Sequence, residues 1–236
     1  MSNWEFWSPY MRAWRRTWNR DMTRLRSRFY AYLDMLIFDH GFFRYVYPNR
    51  FKVTDQVERQ NHPTPFGVAL AARRGIKTII NLRGGNDLGS YLLSKAACQR
   101  HGITLVDLKT YSRRLPDKEL IRQAKKVFDE VEYPVLLHCK SGADRAGLMS
   151  ALFLILHEGR PVAEAKKQLN WRFGHVRQTN TGILDAFLEA YEEANRKKPI
   201  DFMTWVEEEY DPAAINKAYK SSRWINFIYD RILRRE

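Results

Sequence analysis

A chain of 236 residues, 44% of them hydrophobic, is long enough to bury one good core with extensions. Its formal charge of +13 asks for an anionic partner: a phosphorylated substrate, a membrane surface or nucleic acid. Two cysteines, Cys98 and Cys139, exclude a zinc spacing and a secreted disulfide framework. The longest nearly unbroken apolar run, residues 148–156, falls far short of the roughly 20 residues of a membrane span.

In chain order, residues 4–36 place Trp4, Trp7, Met11, Trp14, Trp18, Met22, Leu25, Phe29, Tyr32 and Leu36 on one helical stripe. Arg12, Arg16, Arg20 and Arg24 project elsewhere on the same wheel. From about residue 50 to 196, β-like runs alternate with helical ones. "KTIINL" (77–82), "ITLVDL" (103–108) and "PVLLHC" (134–139) read as buried strands. Helices are expected near 66–74, 89–100, 117–131, 145–158, 162–172 and 181–196. This alternation predicts an α/β fold with a mostly parallel central sheet flanked by helices. After Lys198-Pro199 comes a basic amphipathic tail, "SSRWINFIYDRILRRE". The expected organisation is a Trp/Arg-rich extension (1–45), a catalytic domain (46–197) and the tail (198–236).

Charge gathers at the ends. Residues 1–30 carry a net +5 and residues 217–236 a net +4, so the middle is only mildly basic. A Trp-rich stripe ringed by Arg has the composition of a helix lying in a membrane interface, and Trp224, Ile225, Phe227, Ile228, Ile232 and Leu233 repeat the theme. Packing of these helices on the core or on a second subunit is the alternative; the oligomeric state is left open. Nucleic acid is not expected, because no binding module is visible. Cysteine usage and the lack of a signal pattern suit the cytoplasm, at the inner membrane face if the ends bind lipid.

The stretch "PVLLHCKSGADRAGLMSALFLIL" (134–156) carries the chemistry. His138 and Cys139 end a buried strand; Lys140, Ser141, Gly142, Ala143, Asp144 and Arg145 form a turn, and Gly147 lies early in the next helix. In a parallel sheet, ligands bind where a strand's carboxyl end meets the next helix. Consecutive amides there form an anion cradle, reinforced by the helix dipole. A cysteine in this field is favoured as thiolate. Arg145 adds a planar fork suited to two phosphate oxygens, and Lys140 a positive wall. Such a loop suits a tetrahedral dianion held against sulfur.

HCKSGADR (138–145) resembles the His-Cys-x5-Arg signature of the cysteine-dependent protein-tyrosine and dual-specificity phosphatases. Residues 115–142 are similar to the helix–strand–loop of the small atypical dual-specificity enzymes of plants, fungi and bacteria. The resemblance covers roughly residues 50–196. It implies a cysteinyl-phosphate on Cys139, hydrolysed by water without a metal or other cofactor. His138 is expected to orient the loop by hydrogen bonding. Cys98 is expected in the core, with an oxidative pairing to Cys139 as the alternative.

The leaving oxygen needs a proton. Asp144 is the first choice for the acid, since an Asp just before the arginine also occurs in lipid phosphatases of the myotubularin and Sac types; its alternative role is to brace the loop. Asp107, 32 residues before Cys139, is the second choice, and Asp117, at a helix start, the third. The family usually has Ser or Thr after the arginine, where this chain has Ala146. Residues 171–193 are similar to the Gln-bearing loop of tyrosine phosphatases, where Gln178 would orient water; a capping turn at Thr179–Thr181 is the alternative. Arg83, Ser112–Arg114, Arg172 and Arg177 are further candidates for the pocket wall. The reading favoured is a phosphatase acting on a membrane lipid or headgroup phosphate. The alternatives are a phosphoprotein phosphatase, an inositol polyphosphate phosphatase and a weakly active phospho-ligand-binding module.

Overall fold

The computed structural model describes residues 13–219. Trp4, Trp7, Met11 and Arg12, and the basic tail from residue 220 onward, lie outside the described residues. Five strands form one sheet: β1 (Phe51–Lys52), β2 (Val57–Gln60), β3 (Thr78–Asn81), β4 (Thr104–Asp107) and β5 (Val135–His138). Their order is β1-β2-β5-β3-β4, parallel throughout except for the antiparallel β1. Gln60 and Asn81 both pair with His138, and Asn81 with Asp107. Four polar residues therefore line up across the carboxyl edge.

The β3 and β5 runs are apolar without interruption because both faces of the sheet are covered. Ile79 and Leu136 face helices α3 (Pro65–Arg73) and α4 (Gly89–His101). Ile80, Val135 and Leu137 face α5 (Lys118–Glu130), α6 (Asp144–Leu156) and α8 (Ile183–Lys197), with the short α7 (Val162–Ala165) beside them. Thr64 and Pro65 start α3, and Asp117 Oδ1 accepts from the Leu120 amide to start α5. Cys98 packs in the first layer and Cys139 in the second, and both are free thiols. Opposite sides of a sheet exclude the oxidative pairing.

Two expectations from the sequence are corrected. The helix expected over 162–172 stops at Ala165 and continues as 3-10 turns at Lys166–Gln168 and Trp171–Phe173. Between them, the Gln168 carbonyl is taken by Arg59 at 2.6 Å, and Asn170 caps the second turn. The single helix over 4–36 is also broken. Residues 13–16 are helical, but Thr17 Oγ1 donates to the Trp14 carbonyl, and Asn19 and Asp21 accept from the amides of Asp21 and Thr23. These local bonds compete with the helix ladder.

The chain re-enters helix as α1 (Leu25–Leu33), runs into a π turn at Asp34–Phe38, and adds α2 (Phe42–Val46). Helix α1 packs through Ser27 and Ala31, leaving Leu25 and Phe29 exposed. A Cβ on Gly89 would fall 2.2 Å from the Ala31 carbonyl oxygen, so the α1–α4 approach needs glycine there. Asp34 Oδ2 accepts from the Gly89 amide at 2.6 Å and so caps α4 from another helix. Of the expected tail, Phe202, Trp205, Val206 and Tyr210 join the core, while Pro212–Ala218 buries no residue. Helices α9 (Phe202–Glu208) and α10 (Pro212–Ala218) follow α8, with Phe202, Trp205 and Tyr210 packed around Phe187.

Candidate active site

Strand β5 delivers Cys139 to the carboxyl edge, and α6 begins at Asp144. Between them the loop is held from outside, one carbonyl at a time. The His62 amide donates to the Lys140 carbonyl at 3.3 Å, and Asn49 Nδ2 to that of Ser141 at 2.8 Å. One terminal nitrogen of Arg59 donates to the carbonyls of Gly142 (2.8 Å) and Ala143 (2.7 Å). In a planar trans peptide, C=O and the following N–H point opposite ways. Pinning these carbonyls outward turns the amides of residues 141–144 to the other side. The Gly142 amide donates to Cys139 Sγ at 3.2 Å. Gly142 has φ +78°, and a Cβ there would sit 2.6 Å from the Gln60–Asn61 backbone. No other residue type fits. Gly147 is similarly close, with its Cβ position 2.8 Å from the Gln168 carbonyl oxygen.

Arg59 is the functional residue that the sequence hid. It lies in "VERQ", a stretch too polar to read as a strand, yet it is fully buried. Its guanidinium sits 4.3 Å from the centre of the Phe173 ring and also bonds Gln168. Burial pulls it down to about 10 against the opposing pull of Cys139 and Asp144, so it remains a cation at neutral pH.

Two buried polar clusters flank the loop. On one side, Asp39 takes a two-pronged contact from Arg83 (2.8 and 2.9 Å), bonds from Arg44 and Ser90, and the Lys140 ammonium at 3.8 Å. Burial alone would raise Asp39; the Arg83 and Arg44 charges reverse this and hold it well below the usual carboxylate range. Burial also draws Lys140 down to about 8. His62 bonds Arg83, and its ring lies 4.5 Å from that of His138. Burial lowers both imidazoles, His138 to about 3, so they are neutral at pH 7. On the other side, His175 bridges Asp144 (2.8 Å) and Asp185 (2.7 Å). Burial opposes its charge, but these two bonds prevail and lift it to about 9.

The structure brings together His138, Cys139, Lys140, Ser141, Gly142, Ala143, Asp144, Arg145 and Gly147. Arg145 is half-buried and pairs with no carboxylate among the described residues. Asp144 is buried against His175. Asp107 is exposed at the end of β4, its oxygens bonded to Asn81 and Tyr91 (both 2.7 Å). Asp117 is a helix cap. Arg83 does not line the mouth, because Asp39 holds it inside. Arg177 pairs with Glu189, and Arg172 lies over Phe51. Gln178 is exposed and lines a cavity of about 500 Å³ with residues of α8 and α10, none of them from the cysteine loop. The capping turn is present there, with Thr179 accepting from the Thr181 amide.

A five-stranded sheet with a cysteine and an arginine framing an amide-lined loop at its carboxyl edge defines the class of the cysteine-dependent phosphatase domains. Residues 40–181 match the model of the family "PTP-SAK: Swiss Army Knife protein, DSP-PTPase phosphatase domain". The chain belongs to that family. The dual specificity protein phosphatases TpbA of two Pseudomonas aeruginosa strains, UCBPP-PA14 and PAO1, are 29% and 28% identical to it over 112 residues. That match takes 47% of this chain and 48% of either relative, so the chain spans about half the length of these curated relatives. The crystal structure of P. aeruginosa TpbA superposes with a TM-score of 0.50 at 22% identity, over 72% of this chain and 89% of the other. This likeness shows the fold.

Proposed function

We propose that this chain hydrolyses phosphomonoesters through a cysteinyl-phosphate on Cys139, and that its substrate is a lipid or headgroup phosphate. The observation that carries the chemistry is the outward pinning of the loop carbonyls beside Arg145, which pairs with no carboxylate among the described residues. The inward amides and Arg145 hold three phosphate oxygens. The Cys139 thiolate attacks phosphorus, the S–P bond forms, and the bond to the leaving oxygen breaks. That oxygen takes a proton from a carboxylic acid. Water then attacks phosphorus, the S–P bond breaks, and a proton returns to the same acid.

For the acid we place Asp107 ahead of Asp144, reversing the order the sequence suggested. An acid bonded to an imidazolium gives up its proton before the reaction begins, and Asp144 is bonded to His175. Asp107 meets only neutral donors at the same edge of the sheet. Asp144 then braces the loop, the role the sequence left as its alternative.

The strongly basic ends support the lipid reading. A phosphoprotein substrate is the second reading, supported by the name of the Pseudomonas relatives. A binding module is the third, supported by Ala146, which offers no hydroxyl to the thiolate. The test is phosphate release from an aryl phosphate by wild type and Cys139→Ser, followed by a panel of lipid, peptide and inositol phosphates. Turnover that survives Cys139→Ser contradicts the thiolate route. Binding without turnover in wild type favours the module, and a peptide preference favours the second reading.

A further inference from the structure

We infer that the outward face of α1 and α2 seats the phosphatase unit on an anionic lipid surface. The inference rests on the lipid reading above and names the surface that would serve it. Among the described residues, eleven large apolar side chains are exposed, and eight of them fall between Leu25 and Tyr47. The extremes are Leu25 at 81%, Val46 at 76%, Phe29 at 61% and Phe42 at 59%. Scattered apolar exposure is ordinary in proteins, but this concentration along one segment, five of the eight on α1 and α2 themselves, is not.

Helix α1 is inverted relative to a core helix. Its fully buried residues are small (Ser27, Ala31), Tyr30 and Tyr32 pack at the edge of the Trp18–Met35 cluster, and Leu25 and Phe29 point away. The orientation is fixed rather than incidental. Gly89 admits the Ala31 backbone at a distance no side chain would allow, and Asp34 locks the register by bonding the Gly89 amide and Arg15. Turning Leu25 and Phe29 inward would break all three contacts.

Charge decides the occupant. Arg16, Arg20, Arg24 and Arg26 are exposed on the same stretch of chain, and Asp21 is the one exposed acid between residues 13 and 47. Two of these arginines meet surface carboxylates, Arg20 with Asp87 and Arg24 with Asp21, in pairs open to solvent. The acids on the inner side, Asp34 and Asp39, are buried and neutralise nothing outside. A two-fold contact between copies would set this basic rim against itself. An apolar stripe flanked by arginines suits anionic headgroups above acyl chains. The face is also wired to the loop. Arg44 of α2 shares Asp39 with Lys140, and Asn49, three residues after α2, holds the Ser141 carbonyl.

The test is co-sedimentation of the full chain with phosphatidylcholine vesicles, with and without 30% phosphatidylglycerol, alongside aryl phosphate turnover in solution. Wild type is expected to sediment with the anionic vesicles only, and to be released by high salt. The double variant Phe29→Asp/Val46→Asp is expected to lose at least tenfold in vesicle affinity with aryl turnover unchanged, which also reports folding. If that variant fails to fold, Arg24→Glu/Arg26→Glu serves, with the same expectation. Absence of wild-type sedimentation, or variants that sediment like wild type, overturns the inference. So does a dimer that the double variant abolishes without any vesicle binding. Sedimentation gained only after removal of residues 1–12 and 220–236 also overturns it, because those segments would then cover the face. Vesicle binding without aryl turnover keeps the docking surface and refutes the catalytic reading instead.

Discussion

The two flanks of the cysteine loop solve the same task with opposite charge. On the Asp39 side one carboxylate faces three cations, Arg83, Arg44 and Lys140. On the His175 side one imidazolium lies between two carboxylates. The first cluster leaves a positive excess beside the cradle, which favours an arriving dianion. The second leaves a negative excess whose use is mechanical: it ties the start of α6 to the turn before α8. The loop is thus gripped at both ends, but only one grip carries a positive excess.

Breaking the positive flank should have the largest effect. Asp39→Asn strands Arg83 and Arg44 in a buried site. A loss of roughly 3–5 kcal/mol in urea unfolding is expected from uncompensated buried charge. A loss under 1 kcal/mol would show that the cluster is hydrated and not a structural grip.

The negative flank is tested by pH. His175 sits at about 9, above the ordinary imidazole value. Its stabilisation is therefore complete below about pH 6.5 and is lost as pH rises through 9. Wild type should lose stability across that window, and His175→Gln should be less stable at pH 6 but lack the alkaline decline. Parallel pH–stability curves for the two proteins would contradict the assignment.

How much of this was legible beforehand follows from side-chain chemistry. The loop could be read because each of its residues is adjacent in sequence to the others, so spacing alone displays the site. The apolar β3 and β5 could be read because both faces are buried. Arg59, Asp39 and His175 could not. Each reaches the loop across the fold, and a lone Arg in "VERQ" or a lone His in "FGHVRQ" carries no spacing signal. The stripe over 4–36 was legible as amphipathic, but its sense was not. Periodicity shows that one face is apolar, and only the structure shows that Trp18 turns in while Leu25 and Phe29 point out, with Gly89 set against Ala31.

Between the flanks, Arg59→Met removes the donor that both Gly142 and Ala143 rely on. The Gly142 carbonyl left unsatisfied in a buried place costs about 1–3 kcal/mol when no relaxation follows, while that of Ala143 keeps the Gly147 amide. The amides these carbonyls orient should misplace the phosphate enough to lower kcat on the order of 10²-fold. An unchanged kcat with lowered stability alone would reduce Arg59 to a packing residue. A more selective change, confined to one class of substrate and leaving stability in place, is expected at the acid. Asp107→Asn should slow poor leaving groups by roughly 10²–10³-fold and spare aryl phosphates with good ones. Asp144→Asn should slow both alike, as a brace would. The reverse pattern returns the acid to Asp144.

The smallest effect belongs to Lys140, which burial draws down to about 8. Its charge fades as pH rises past that value, so KM for the dianion should climb several-fold there. In Lys140→Met the climb should vanish.

The central claim is a covalent one, and rapid acid quench followed by intact-mass measurement tests it most directly. During turnover of an aryl phosphate, wild type should carry one added phosphoryl group on Cys139, and Cys139→Ser should carry none and release no phosphate. A phosphoryl group found on another residue, or release of phosphate by Cys139→Ser, would contradict the account.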